Sequence, residues 1–104
     1  MKDISVQQLA EALKQKKKFI LLDVRENYEF KIGHIACMHI PMDEIPKRAS
    51  ELDCEKQTYV ICRSGKRAAA VANFLNTNHN VSKIGIVIGG VEAYASEIDQ
   101  SIEV

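Results

Sequence analysis

Hydrophobic and polar positions change period several times along this chain, and each change marks an element. Ser5-Val6-Gln7-Gln8 has the spacing of a capping box, after which Leu9, Ala12 and Leu13 fall on one helical face. The run Lys16-Lys17-Lys18 predicts the end of that helix, where cations meet the negative end of the dipole. Phe19-Ile20-Leu21-Leu22 is continuously apolar, as in strands buried on both faces, and Asp23-Val24-Arg25 leaves it at its carboxyl end. Asn27 to Ile32 predicts a short helix with Gly33 as its C-terminal stop. Ala36 to Ile40 is a second extended segment, closed by Pro41. From Met42 to Leu52, the spacing of Ile45, Ala49 and Leu52 predicts a helix broken or delayed by Pro46.

Tyr59-Val60-Ile61 is a short β-branched and aromatic run suited to a buried strand. Ala68 to Leu75 is Ala-rich without Gly or Pro, and predicts a helix. Asn73 to Asn80 is expected to close that helix in a polar turn. Lys83 to Ile88 predicts a further buried strand, Gly89-Gly90 a tight turn, and Val91 to Ile98 a last amphipathic helix. Strands alternate with helices throughout, which implies an α/β domain with a mostly parallel sheet covered on both faces.

A length of 104 residues fits one domain, spanning 1–104, with a core that needs no staples. Lys plus Arg and Asp plus Glu number 14 each, so no global charge points to nucleic acid or to a membrane surface. The local distribution is uneven. Between Lys56 and Val91 stand Lys56, Arg63, Lys66, Arg67 and Lys83 with no acid, whereas Glu92, Glu97, Asp99 and Glu103 follow with no base. A basic cluster this narrow suits a small anionic substrate better than a long polyanion. The cysteines, at 37, 54 and 62, are odd in number and form no C-x-x-C pair, which argues against a disulfide framework and against zinc. His34-x-x-Cys37-x-His39 lacks a second ligand pair, so no metal is expected. Met1-Lys2-Asp3 is polar and the apolar runs are short, so neither a signal peptide nor a spanning helix is expected, and a reducing cytoplasm is the expected compartment.

The chemistry centres on Cys62. It follows a predicted strand and precedes a predicted helix, the position where open α/β sheets place ligands against free helix N–H groups. Arg63, Lys66 and Arg67 add positive charge, and this setting favours a thiolate without a neighbouring base. The same amides and cations suit an oxyanion substrate or a negatively charged sulfur product. An inert, buried structural Cys is the competing reading, but it has no use for the Arg-Ser-Gly-Lys-Arg that follows.

These residues, taken in order, resemble a single rhodanese (sulfurtransferase) domain. The resemblance rests on Leu22-Asp23-Val24-Arg25, Glu29-Phe30, Gly33-His34-Ile35, Ile40-Pro41, Val60-Ile61-Cys62 with its loop, and Gly89-Gly90 followed by an aromatic residue. It runs from about Ile4 to Asp99. The segment after Gly33-His34-Ile35 is one residue shorter than the usual pattern, and Tyr94 stands where the family most often has Trp. The resemblance implies a rhodanese-like sheet of about five strands with helices on both faces, and no cofactor. It also implies a mechanism. Cys62 attacks the sulfane sulfur of a donor such as thiosulfate, forms a persulfide, and yields the sulfur to cyanide or a thiol. The amides of Arg63, Ser64, Gly65, Lys66, Arg67 and Ala68 are then expected to face the persulfide, with Gly65 permitting the curvature and the three basic side chains drawing in the donor. Ser64 is either a further donor to sulfur or simply a small residue in a tight loop. Arg25 is a secondary candidate for substrate contact, with an internal ion pair the preferred reading, while Asp23 and His34 are expected to be structural.

Related chemistries fit less well. A phosphatase loop on this scaffold has the pattern Cys-x5-Arg, and Cys62-x4-Arg67 is one residue short. A mercaptopyruvate-specific loop is typically uncharged, and a non-catalytic module usually lacks the Cys. The remaining alternative is a persulfide carrier loaded by one protein and discharged to another.

Overall fold

The computed structural model describes residues 2–104; Met1, the first residue of the predicted domain, lies outside them. Ser5 caps α1 (Val6–Lys14), its Oγ accepting from Gln8 N–H at 3.1 Å while Gln8 Oε1 accepts from Ser5 N–H at 3.0 Å. That is the reciprocal box expected from the sequence. The chain then forms β1 (Ile20–Asp23), α2 (Asn27–Ile32) and the two-residue β2 (Met38–His39). Pro46 stands in the first turn of α3 (Ile45–Arg48), so the helix is delayed rather than broken there; a 3-10 turn at Met42–Glu44 precedes it and a second at Ala49–Glu51 follows. Ile45, Ala49 and Leu52 are buried, as their spacing predicted. β3 (Thr58–Ile61), α4 (Lys66–Asn78), β4 (Ile84–Ile86) and α5 (Gly90–Glu97) complete the order.

The sheet is parallel in the order β2-β1-β3-β4, with Leu22 opposite Val60 and Val60 opposite Ile86. It has four strands rather than about five. The place of a further strand beside β4 is taken by the segment before α1, which makes a single bridge between Ile4 and Val87 before Ser5 starts the helix. Its backbone is nonetheless paired, Lys2 N–H donating to Ile84 at 3.1 Å and Ile4 N–H to Ile86 at 2.9 Å. Alternation along the strands divides the core in two. Leu22, Val60 and Ile84 face α3 and α4 through Ile45, Val71, Ala72 and Leu75, while Leu21, Ile61 and Val87 face α1 and α5 through Leu9, Val91 and Tyr94. Helices therefore cover both faces, and Tyr94 fills its place in the second cluster without a Trp.

Two local expectations are corrected. Gly33 ends α2 in extended backbone, φ −178°, which any residue adopts, so it is not a left-handed stop. Its small size is needed for packing instead, because a Cβ there would sit 2.2 Å from the Glu103 carbonyl oxygen. The polar turn expected from Asn73 begins six residues later, at His79. Asn73, Asn76 and Thr77 are exposed on α4 while Leu75 anchors its inner face, so tertiary packing carries the helix through residues of modest propensity to Asn78. No helix among the described residues is long and apolar enough to cross a membrane.

Candidate active site

β3 delivers Cys62 to the carboxyl edge of the sheet and the neighbouring strands fix it there. Val24 N–H donates to Ile61 O at 3.0 Å and Val87 N–H to Val60 O at 3.0 Å, so both sides of the preceding dipeptide are tied. Cys62 is 1% exposed and packs in the cluster that holds Val24 and Ala68. From this base the chain turns through Arg63, Ser64 and Gly65 into α4. Gly65 adopts φ 122°, a region that favours glycine, and its N–H points back at Cys62 Sγ at 3.0 Å. The N–H of Ala68, in the first turn of α4, reaches the same sulfur at 3.3 Å. Both donors on Sγ are backbone amides, and no side chain among the described residues hydrogen-bonds it. The amides of Arg63, Ser64, Lys66 and Arg67 have no acceptor among the described residues, which leaves them available to a group entering the loop.

The loop's carbonyls face the other way because α5 arrives behind them. Val91 N–H donates to Cys62 O at 2.9 Å and Glu92 N–H to Arg63 O at 3.0 Å. Gly89 and Gly90, with φ 82° and 64°, make the approach possible, and a Cβ on Gly90 would lie 2.4 Å from both carbonyl oxygens. Two helix N-termini thus meet at Cys62. One presents amides to sulfur; the other takes up the carbonyls that would repel an anion.

The basic side chains are arranged less simply than the sequence suggests. Arg67 is held by Glu29 of α2 in a two-pronged pair at 2.6 and 2.9 Å, and Arg63 meets Glu92 of α5 at 3.0 Å. Lys66 is exposed and has no carboxylate partner among the described residues. Glu29 also accepts the Glu26 N–H at 3.0 Å, which closes the capping box of α2. The Arg67 hydrogen bonds, reinforced by that amide and by the charges of Arg67 and Arg25, hold its carboxyl near 2 against the opposing effect of burial. The same pair raises the Arg67 guanidinium above its ordinary range. Glu29 and Glu92 were not singled out from sequence as loop partners, although the capping-box spacing of Glu26 and Glu29 was there to be read.

The remaining candidates make contacts of other kinds. Arg25 is buried, its Nη2 donating to Asp23 Oδ2 and to Gly33 O, both at 2.8 Å, and its Nε to both Asp23 oxygens. It braces β1 against the end of α2 and is the internal ion pair anticipated for it. His34 and His39 stack on Phe30 at 3.8 and 4.1 Å between centroids. Each ring nitrogen that bonds does so to backbone, His34 Nδ1 with Phe30 O and His39 Nε2 with Arg25 O. Ser64 is exposed and makes no hydrogen bond to Sγ. Of the other thiols, Cys54 is exposed, and burial, aided by the Asp23 charge, pushes Cys37 up to about 12.

A cleft of about 130 Å³ adjoins the loop, lined by Arg25, Tyr28, Glu29, Ile32, Arg63 and Val104. Larger clefts of about 310 and 450 Å³ open around Lys17 and Phe19, before β1, and contain no residue of the Cys62 loop.

Comparison with known proteins agrees with this geometry. The rhodanese-like domain family model matches residues 5–97. YtwF of Bacillus subtilis (strain 168), provisionally designated a sulfurtransferase, is 36% identical over 98 residues, covering 93% of each chain. YrkF of the same organism, provisionally designated a sulfur carrier protein, is 38% identical over 84 residues, which span 76% of this chain but 45% of that protein. The crystal structure of a rhodanese-related protein from Thermoplasma volcanium superposes with a TM-score of 0.83 at 32% identity over 94% of each chain.

Proposed function

The chain belongs to the rhodanese-like domain family, and from that premise we propose that it transfers sulfane sulfur through a persulfide on Cys62. The observation that carries this reading is the pair of amides, Gly65 and Ala68, converging on Cys62 Sγ from the start of α4. Such donors stabilise negative charge on sulfur before and after transfer and need no reorganisation during it. With thiosulfate as the simplest donor, the thiolate attacks the outer sulfur, and the donor's S–S bond breaks with its electron pair leaving on sulfite. Cys62–S–S⁻ remains. Cyanide or a thiolate then takes the outer sulfur and returns the Cys62 thiolate. Neither step transfers a proton to or from an enzyme side chain, which accords with histidines that bond only to backbone. The unpartnered amides of Arg63, Ser64, Lys66 and Arg67 supply donors for the outer sulfur or for the departing oxyanion.

The kinship with YrkF supports a second reading, in which a partner protein loads Cys62 and the domain acts as a relay. The two share the persulfide and differ in turnover with small donors. Incubation with a sulfane donor is expected to add one sulfur atom, about 32 Da, at Cys62 and at neither Cys37 nor Cys54. Cys62→Ser is expected to lose both that adduct and transfer while keeping the wild-type melting temperature. Transfer at the wild-type rate in that variant sinks the assignment.

A further inference from the structure

A parallel sheet gathers the residues that precede its strands at one edge, and in this chain many of those residues are lysines. Lys16, Lys17 and Lys18 stand before β1, Lys56 before β3 and Lys83 before β4, with Lys2 on the segment beside β4. Backbone hydrogen bonds fix the row. Ile20 N–H donates to Gln57 O at 2.8 Å, Thr58 N–H to Lys83 O at 2.8 Å and Lys2 N–H to Ile84 O at 3.1 Å. Four adjacent chains thus carry the lysines across about 15 Å. All six are exposed, and none has a carboxylate partner among the described residues. This edge lies at the opposite end of the strands from Cys62, roughly 20 Å away along β3. Complementing the negative end of α1 accounts for the lysines that follow that helix, but not for Lys2, Lys56 and Lys83. Lys16 also takes a left-handed place, φ 55°, where its N–H donates to Leu13 O and that of Lys17 to Ala12 O, both at 3.1 Å. Glycine usually fills that place, so a charge is kept there at a cost in backbone strain.

Between the lysines the surface opens into two clefts that share Lys17 and Phe19. The smaller, of about 310 Å³, is apolar apart from Lys16, Lys17 and the Cys37 thiol, with Leu13, Phe19, Ala36 and Met38 among its walls. The larger, of about 450 Å³, holds Lys2 and Lys18 but also Asp3 and Glu11. Those carboxylates already accept hydrogen bonds within the chain, Asp3 from Ile86 N–H at 3.0 Å and Glu11 from Gln15 at 2.8 Å. A continuous phosphate backbone would meet them as like charges, whereas a protein surface can set a donor opposite each. An apolar pocket fringed by cations has the form of a protein interface, with a central anchor and a polar rim. We propose that the amino edge of the sheet docks an acidic segment of a partner protein, whose apolar anchor enters the cleft at Leu13, Phe19 and Met38 while its carboxylates meet Lys16, Lys17 and Lys18. Docking there leaves the Cys62 loop uncovered, and nothing in it depends on the chemistry at that sulfur.

The test is to pan a phage-displayed library of random peptides against the immobilised chain and to map the selected peptides by amide chemical-shift perturbation. Selected peptides should combine Asp or Glu with Leu, Ile or Phe, and should shift the amides of Leu13, Lys16, Phe19 and Met38 rather than those of the Cys62 loop. Lys16→Glu with Lys17→Glu and Lys18→Glu should raise Kd about tenfold or more and abolish most of its salt dependence. Ala36→Phe, at an exposed position on the cleft wall, should weaken binding by a similar factor and leave the salt dependence as it is in the wild type. Both variants should keep the wild-type melting temperature. Peptides that map to the Cys62 loop, or no enriched peptide at all, overturn the docking site. Single-stranded RNA that binds through the same lysines more tightly than the selected peptides assigns the edge to nucleic acid and overturns the partner class.

Discussion

Glu29→Gln is the substitution that isolates the carboxylate on which Arg67 depends. The side chain keeps its size and one acceptor oxygen, and loses only the charge. In the folded protein its carboxyl lies near 2 against an ordinary 4.5, with the Arg67 hydrogen bonds as the main cause. At about 1.36 kcal/mol per pH unit the difference corresponds to roughly 3 kcal/mol at neutral pH. That is an upper bound. The Arg67 side chain is 33% exposed, so water screens its half of the pair and the expected cost falls to about 1–2 kcal/mol. The sign follows from the direction of the displacement. A carboxyl whose folded value lies below its unfolded value stabilises the fold above about 4.5, and that contribution is lost as pH falls toward 2. Urea unfolding of wild type and variant at intervals from pH 7 to pH 3 supplies the measurement, read as the difference between the two proteins so that other carboxylates cancel. The difference should be largest at pH 7 and shrink steadily below 4.5. A difference that is absent at pH 7, or unchanged at pH 3, refutes the account of Glu29 as the anchor of Arg67.

The remaining predictions concern backbone and thiols. Gly90→Ala places a Cβ 2.4 Å from two carbonyl oxygens at a positive φ, so it should cost more than about 2 kcal/mol in thermal unfolding and sharply lower sulfur transfer. Gly65→Ala meets only Ile86 Cδ1, at 3.9 Å, so its stability loss should be confined to about 1–2 kcal/mol of backbone strain. Equal costs for the two variants would contradict the packing of α5 on the loop. Iodoacetamide at pH 8, followed by peptide mapping, should leave Cys37 unmodified after exposed Cys54 has reacted, because burial holds that thiol near 12. Parity between those two sites would show that Cys37 is not shielded as described.

Much of this arrangement could be read along the chain because it is local. The capping box at Ser5, the apolar run of β1, the β3-to-α4 connection and the placement of Cys62 all lie within segments of a dozen residues or so. Pairings across the fold were not legible. Glu29 and Arg67 are 38 residues apart and Arg63 and Glu92 are 29 apart, and nothing in local periodicity says that α2 and α5 flank the Cys62 loop. The loop was therefore read as a free cationic cluster, whereas topology gives two of its three charges a carboxylate partner. Gly33 was read correctly as an end of α2 but for the wrong reason, since the carbonyl that excludes its Cβ belongs to Glu103. The length of α4 was underestimated because Asn and Thr lower helix propensity wherever they fall, while Leu75 and the sheet beneath it decide where the helix can stop.

The arrangement assigns the electrostatics of the site to backbone rather than to side chains. Sγ is met by the amides of Gly65 and Ala68, its flanking carbonyls are drawn off by the amides of Val91 and Glu92, and the guanidiniums nearest the loop are tied into bridges to α2 and α5. Amides fixed by two helix starts and a parallel sheet cannot swing away or be screened by counterions as a lysine can, so the field at Sγ depends on how these elements pack. Side-chain charge is left to govern what approaches, through Lys66 and through whether Arg63 stays with Glu92. Backbone geometry governs what happens at the sulfur. Substitutions of the basic side chains should therefore act mainly on KM and its salt dependence, whereas substitutions at Gly65 and Gly90, which carry no charge, should act on kcat. If the pattern were reversed, with Lys66→Ala and Arg63→Ala lowering kcat while the glycine variants altered only KM, the charge on sulfur would have to be stabilised by side chains after all, and the convergence of α4 and α5 on Cys62 would serve packing alone.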